Sequence, residues 1–153
     1  MIEKLLLLRS DWIRKMAIVS LLLSSIFACM SFWNNGQFCV IPKGHTQPLY
    51  FAEMNGFSAD EPVLMVYVAI FSLIGVVILC FVKSKIKFLI ISGFTLFFLM
   101  IPLNMFFDAS GFKIVYDSIR LCHNHFLLLW CFALWYFILT VLLYLYLPQE
   151  NKL

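Results

Sequence analysis

The chain has 153 residues, 63% of them hydrophobic and 12% charged, with a mean hydropathy of +0.97 and a net charge of +3. Charged residues make up about a quarter of an ordinary soluble domain, so the composition excludes that class and implies an integral membrane protein. The length allows a few spans and short loops but no separate soluble domain of the usual size, and the small positive charge comes from residues flanking apolar runs rather than from a basic surface suited to nucleic acid.

The chain opens with "MIEKLLLLRSDWIRK", in which Leu5, Leu8 and Trp12 fall at helical spacing. This suits a short amphipathic segment on the inner interface, or simply a basic flank. Four runs without Asp, Glu, Lys, Arg or His follow, at 16–33, 62–82, 88–107 and 126–147. Each is near the roughly 20 residues a helix needs to cross the hydrocarbon core, where a helix satisfies its own backbone hydrogen bonds. The expected fold is an all-α membrane protein: one domain over 1–153, built as a four-transmembrane-helix bundle with a small β-prone first extracellular loop.

In the first span, "LSSIFAC" loosely matches a lipoprotein processing site, but Phe27 is bulkier than such sites favour, so a retained anchor is expected. Ala17, Ser20, Ser24 and Ala28 form a stripe of small residues at spacings of three and four, the pattern that lets helix backbones approach closely. Beyond it, "QFCVI" and "PLYFAEM" are β-prone and flank the turn-rich "PKGHTQP", which predicts a small outer hairpin. Ser58 and Glu61 have capping-box spacing and Asp60 is another cap, so the second span starts just before Pro62. Ala69, Ser72 and Gly75 repeat the small-residue pattern there. "KSKIK" permits only a tight inner connection to the third span, which should bend at Pro102 and carries a polar Asn104 in need of a partner. The fourth span is loaded with rings, Trp130, Phe132, Trp135, Tyr136 and Phe137, a surface that could grip a sterol or pack on a partner helix but is expected to face lipid. Trp12, Trp33, Tyr144 and Tyr146 read as interface anchors.

Basic flanks set the orientation. Lys4, Arg9, Arg14, Lys15, Lys83, Lys85, Lys87 and Lys152 fall on one side of the spans, against Lys43, Lys113 and Arg120 on the other. The positive-inside rule then places both termini in the cytoplasm of a multi-pass protein of the plasma or another cell membrane. The small-residue stripes serve bundle packing or docking of another membrane subunit. The spans themselves hold no ionisable group of the kind that marks ion pathways, proton relays and transport sites. Neither a phosphate-binding glycine loop nor a nucleophile, base and acid constellation is present, so no enzymatic activity and no cofactor are expected.

The outer-face residues with chemistry are in "RLCHNHF", residues 120–126. His123 and His125, with His45 of the first loop, are candidate zinc ligands; zinc wants four ligands, or three and a water, and two histidines at i and i+2 converge only on an extended strand. Polar residues at a membrane boundary are the default reading. Cys122 has a better-motivated role: Cys39 is the only other cysteine outside the spans, and both fall on the oxidising face where disulfides persist. Cys29, Cys80 and Cys131 lie within spans as inert thiols. A thiol oxidase would want a reactive Cys-x-x-Cys pair, which the sequence lacks.

Three stretches resemble the claudin, peripheral-myelin-protein and stargazin group of tetraspan membrane proteins. Trp33 leading to "GQFC" is similar to the family's Trp, Gly-Leu-Trp, Cys pattern; "PVLMVYVAIFSLIGVVILC" resembles its second helix and "KIKFLIISGFTLFFLMIPLNMFF" its third, with Pro near the outer end. The first outer loop is shorter than in that family, lacks the second cysteine of the intraloop disulfide and has Phe38 in place of Trp, and "NKL" lacks the Ser or Thr of a common PDZ ligand. The resemblance therefore implies an accessory or structural subunit of a channel, receptor or adhesion assembly rather than a junction-sealing protein. Its partners would be other integral membrane proteins and lipids, with no nucleic acid. The alternative is a membrane redox or other enzyme component using the outer-face Cys and His residues.

Overall fold

The structure, a computed structural model, describes residues 2–33, 38–41, 46–50, 60–106 and 109–147. It is mostly helical: α1 (Ile2–Trp33), β1 (Cys39–Val40), β2 (Leu49–Tyr50), α2 (Asp60–Phe81), α3 (Lys85–Phe106), α4 (Ala109–Arg120) and α5 (His125–Tyr146). Two helical stretches are long and apolar enough to cross a membrane, Ser10–Trp33 in α1 and His125–Tyr146 in α5, and Met65–Phe81 of α2 is a shorter apolar stretch.

α1 runs unbroken from Ile2, so the amphipathic lead-in and the first span form one continuous helix of 32 residues. Nothing in "RSDWIRKMA" stops a helix, since it lacks Gly and Pro. α1 is the hub, packed against α2 on one side and α5 on the other, while α3 leans mainly on α2. Its buried positions, Ala17, Ser20, Leu21, Ser24, Ser25, Ala28 and Ser31, are nearly all small. Small side chains bring helix backbones close without asking much of side-chain entropy, which is why one helix can serve two neighbours.

The tightest junction is at Gly75. A Cβ there would lie 2.7 Å from Thr95 Cγ2 on α3 and 3.1 Å from Leu21 Cδ2 on α1, so only glycine lets the three helices meet at this level. Nearly two turns earlier on α2, the Ala69 carbonyl accepts a hydrogen bond of 2.7 Å from Ser25 Oγ.

The α2–α3 turn, the early part of α1 and the end of α5 gather at one end of the bundle. Phe88, fully buried, packs edge-on against Tyr144 with ring centroids 5.1 Å apart, and the Arg14 guanidinium stands 6.0 Å above the Phe88 ring. Lys85 Nζ donates to the carbonyls of Leu145, at 3.3 Å, and Leu147, occupying acceptors that the end of α5 leaves free. Tyr144 is therefore not on the outside of the bundle as an anchor: it is 5% exposed, because the start of α3 lies against the end of α5. The ring-rich surface of α5 likewise splits. Trp130 and Phe137 are buried, while Phe132, Trp135 and Tyr136 face outward.

The strands pair antiparallel, with Cys39 opposite Tyr50 and Val40 opposite Leu49, inside the two β-prone stretches of the first loop. α4, a helix where the charged residues suggest only a loop, fills the connection between α3 and α5. Ser58 lies outside the described residues, as do the side chains of Glu61, Pro102 and Asn104.

Candidate functional site

At the end of the bundle opposite Phe88 and Tyr144, a small cap joins β1, α4 and the start of α5. Its sequence logic is amphipathic: along "ASGFKIVYDSIR" the residues Phe112, Val115 and Ile119 recur at spacings of three and four, a helical apolar stripe. Asp117 and Ser118 are nevertheless turned inward, 5% and 0% exposed. Buried polar groups must be paired, and here they pair with the segment that follows α1. The Cys39 amide donates to Ser118 Oγ at 3.1 Å, and Ser118 Oγ donates to the Cys39 carbonyl at 3.2 Å. The Ile41 amide donates to Asp117 Oδ2 at 3.2 Å. One short stretch of α4 thus pairs with backbone groups at and beside β1.

The chain then reverses from α4 to α5 through His123, whose φ of 53° lies in the left-handed region. Asn124 follows as the N-cap of α5: its Oδ1 accepts the Leu127 amide at 3.0 Å, and its own amide donates to the Ser118 carbonyl at 3.0 Å. An Asn directly ahead of an apolar run is a recognisable start signal.

This geometry brings Cys122 against Cys39 at disulfide distance, with Cα atoms 6.3 Å apart, inside the range that disulfides span. Both are buried. Paired in this way, Cys122 has no thiolate to give to a metal. His123 and His125 are both exposed, with ring centroids 6.4 Å apart. Among the described residues no group of three or more His, Cys, Asp or Glu is placed to hold a metal ion, and His45 lies outside them.

The other predicted residues separate into two sets. Ala17, Ser20, Ser24 and Ala28 of α1 and Ala69, Ser72 and Gly75 of α2 are all buried inside the chain's own bundle, so these stripes are consumed by intramolecular packing and present nothing to a partner. The hydroxyls of Ser24 and Ser72 have no hydrogen-bond partner among the described residues, which makes small size their contribution. Trp12, Trp33 and Tyr146 are strongly exposed, as anchors at an interface would be. Sequence reasoning missed Asp117, Ser118 and Lys85. The first two look like solvated residues of a connecting loop, and nothing local to Lys85 announces that it caps a helix about sixty residues away.

No family model, curated protein or solved structure matches the chain.

Proposed function

We propose that the chain is a multi-pass membrane protein whose α1, α2, α3 and α5 all cross the bilayer with both termini in the cytoplasm. On this reading it is a non-catalytic accessory or structural subunit of a larger complex in the plasma or another cell membrane. A fold of the claudin, peripheral-myelin-protein and stargazin kind is part of the proposal. The first helix followed by an antiparallel strand pair speaks for it, and a Cys39–Cys122 pairing between loops rather than within one speaks for a variant of that plan.

One observation carries the functional reading: the small residues that would suit docking are spent inside the bundle, while large apolar side chains cover its outside. On α5 these include Phe132, Trp135 and Tyr136, with Phe132 62% and Trp135 65% exposed. Aromatic side chains are favoured anchors at protein interfaces, and lateral contact through this face, with the outer cap as a second contact, is the mode of action proposed. Burial of Ser118 and its commitment to the Cys39 backbone leave the cap with a structural part to play.

Affinity purification from native membranes in mild detergent tests this. The expected result is co-purification at fixed stoichiometry with a larger integral membrane protein, lost in a Phe132→Ala, Trp135→Ala variant that still folds. A chain that purifies alone, or that keeps its partner in that variant, contradicts the proposed docking face.

A further inference from the structure

The bundle end that holds the α2–α3 turn is basic. Lys83 and Lys87 are exposed, Lys85 sits between them, and Arg14 stands over Phe88. Among the described side chains the acidic ones are Asp11, one turn before Arg14, and Asp117 at the opposite end. Beside these lysines, α3 and α5 part to leave a cleft of about 390 Å³ lined by Lys85, Ile86, Leu89, Leu145 and Leu147. Leu89 also lines a second recess that runs on along α3 past Ile90, Gly93, Phe94 and Phe97. Gly93 makes the recess: a Cβ built there meets nothing within 4 Å. Together the two form an apolar track along roughly 16 Å of helix, open at one end onto ammonium groups. An ammonium has three donors, and Lys85 directs hydrogen bonds to two carbonyls, which leaves one for an anion.

We propose that this track binds an anionic phospholipid, its phosphate held by Lys83, Lys85 and Lys87 and one acyl chain lying along Leu89, Gly93 and Phe97. A lipid fits both halves of the site, since a polar end alone would leave the track uncovered and an apolar ligand alone would leave the lysines without a counter-charge. The inference rests on the reading that α3 and α5 cross a bilayer with this end at the headgroups.

The test is native mass spectrometry of the full chain in mild detergent with equimolar palmitoyl-oleoyl phosphatidylglycerol and phosphatidylcholine. The wild type should retain phosphatidylglycerol preferentially. Lys83→Gln with Lys87→Gln should reduce that preference about thirtyfold, at about 1 kcal/mol per lysine, and Gly93→Leu, whose Cβ has open space around it and whose added bulk occupies the recess, should abolish retention while leaving the lysines in place. The altered positions are exposed, so all variants should melt as the wild type does. Equal retention of the two lipids overturns the proposal. So does unchanged retention in Gly93→Leu, which would mean attraction to surface charge alone, and so does a dimer lost in Gly93→Leu without any bound lipid, which would give the track to a second copy. A chain that stays monodisperse without detergent sinks the membrane-spanning reading itself, whereas one that needs detergent but shows no lipid preference sinks only this inference.

Discussion

Gly75→Ala is the most direct probe of how the helices are held together. The added methyl would lie 2.7 Å from Thr95 Cγ2, whereas carbon atoms rest at about 3.5 to 4.0 Å. Thr95 cannot turn aside freely, because it is β-branched and its Oγ1 donates to the Ile91 carbonyl at 2.9 Å. α2 and α3 must therefore separate slightly. Overpacking of this kind costs about 1 to 3 kcal/mol, while replacing a helical glycine by alanine returns up to about 1 kcal/mol, so a net loss of about 1 to 2 kcal/mol is expected. Thr95→Ala removes the nearest obstructing atoms, leaving Leu21 Cδ2 at 3.1 Å, and should bring the cost of Gly75→Ala close to zero. The two changes should then couple by about 1 to 2 kcal/mol, above the few tenths expected for independent sites. Unfolding by SDS titration in mild detergent, followed by tryptophan fluorescence, measures all four corners of the cycle. Equal effects of Gly75→Ala with and without Thr95 would refute the close approach of α2 and α3 at Gly75.

Other consequences concern the cap. Non-reducing mass spectrometry should recover a peptide joining Cys39 to Cys122, and Cys39→Ala should lower stability by at most about 4 to 5 kcal/mol, the chain-entropy value for a separation of 83 residues; free thiols at both positions in protein from an oxidising compartment would contradict this. Ser118→Ala strands the buried Cys39 amide and should cost about 1 to 3 kcal/mol in the same titration, so an unchanged midpoint would show that the amide finds another acceptor. His123→Gly removes the left-handed strain of about 1 kcal/mol that a side chain carries there, offset by the freer unfolded chain, and should leave stability level or slightly higher. His125→Ala should be silent, and stoichiometric zinc in the purified protein, lost in either histidine variant, would overturn the non-metal reading of "RLCHNHF".

How much of this could be seen in the sequence depended on whether the signal was local. The long helices were legible because charge-free runs of spanning length leave little else for the chain to do, and the strands lie within stretches that already showed β-prone residues around a turn. The pairing of Cys39 with Cys122 could be expected by elimination. The small-residue stripes were visible from their spacing, but spacing does not say whether the approaching neighbour belongs to the same chain, and here it does. α4 carried a readable three-and-four pattern that was masked by Lys113, Asp117 and Arg120, which made the segment look like a loop. Tyr144 resembled an anchor because it is an aromatic near a helix end; only the antiparallel arrangement of α3 and α5, which brings Phe88 against it, turns it inward.

The central claim is that the bundle crosses a membrane with the α2–α3 turn inside and the disulfide-bearing cap outside. Single cysteines introduced at Ser84 and Thr46, both exposed and at opposite ends of the molecule, test it with an impermeant thiol reagent on intact cells. Cys at position 46 should be labelled in intact cells and Cys at position 84 only after permeabilisation. The reverse pattern would invert the orientation, and labelling of both before permeabilisation, or of neither, would contradict a spanning bundle with these two ends on opposite sides.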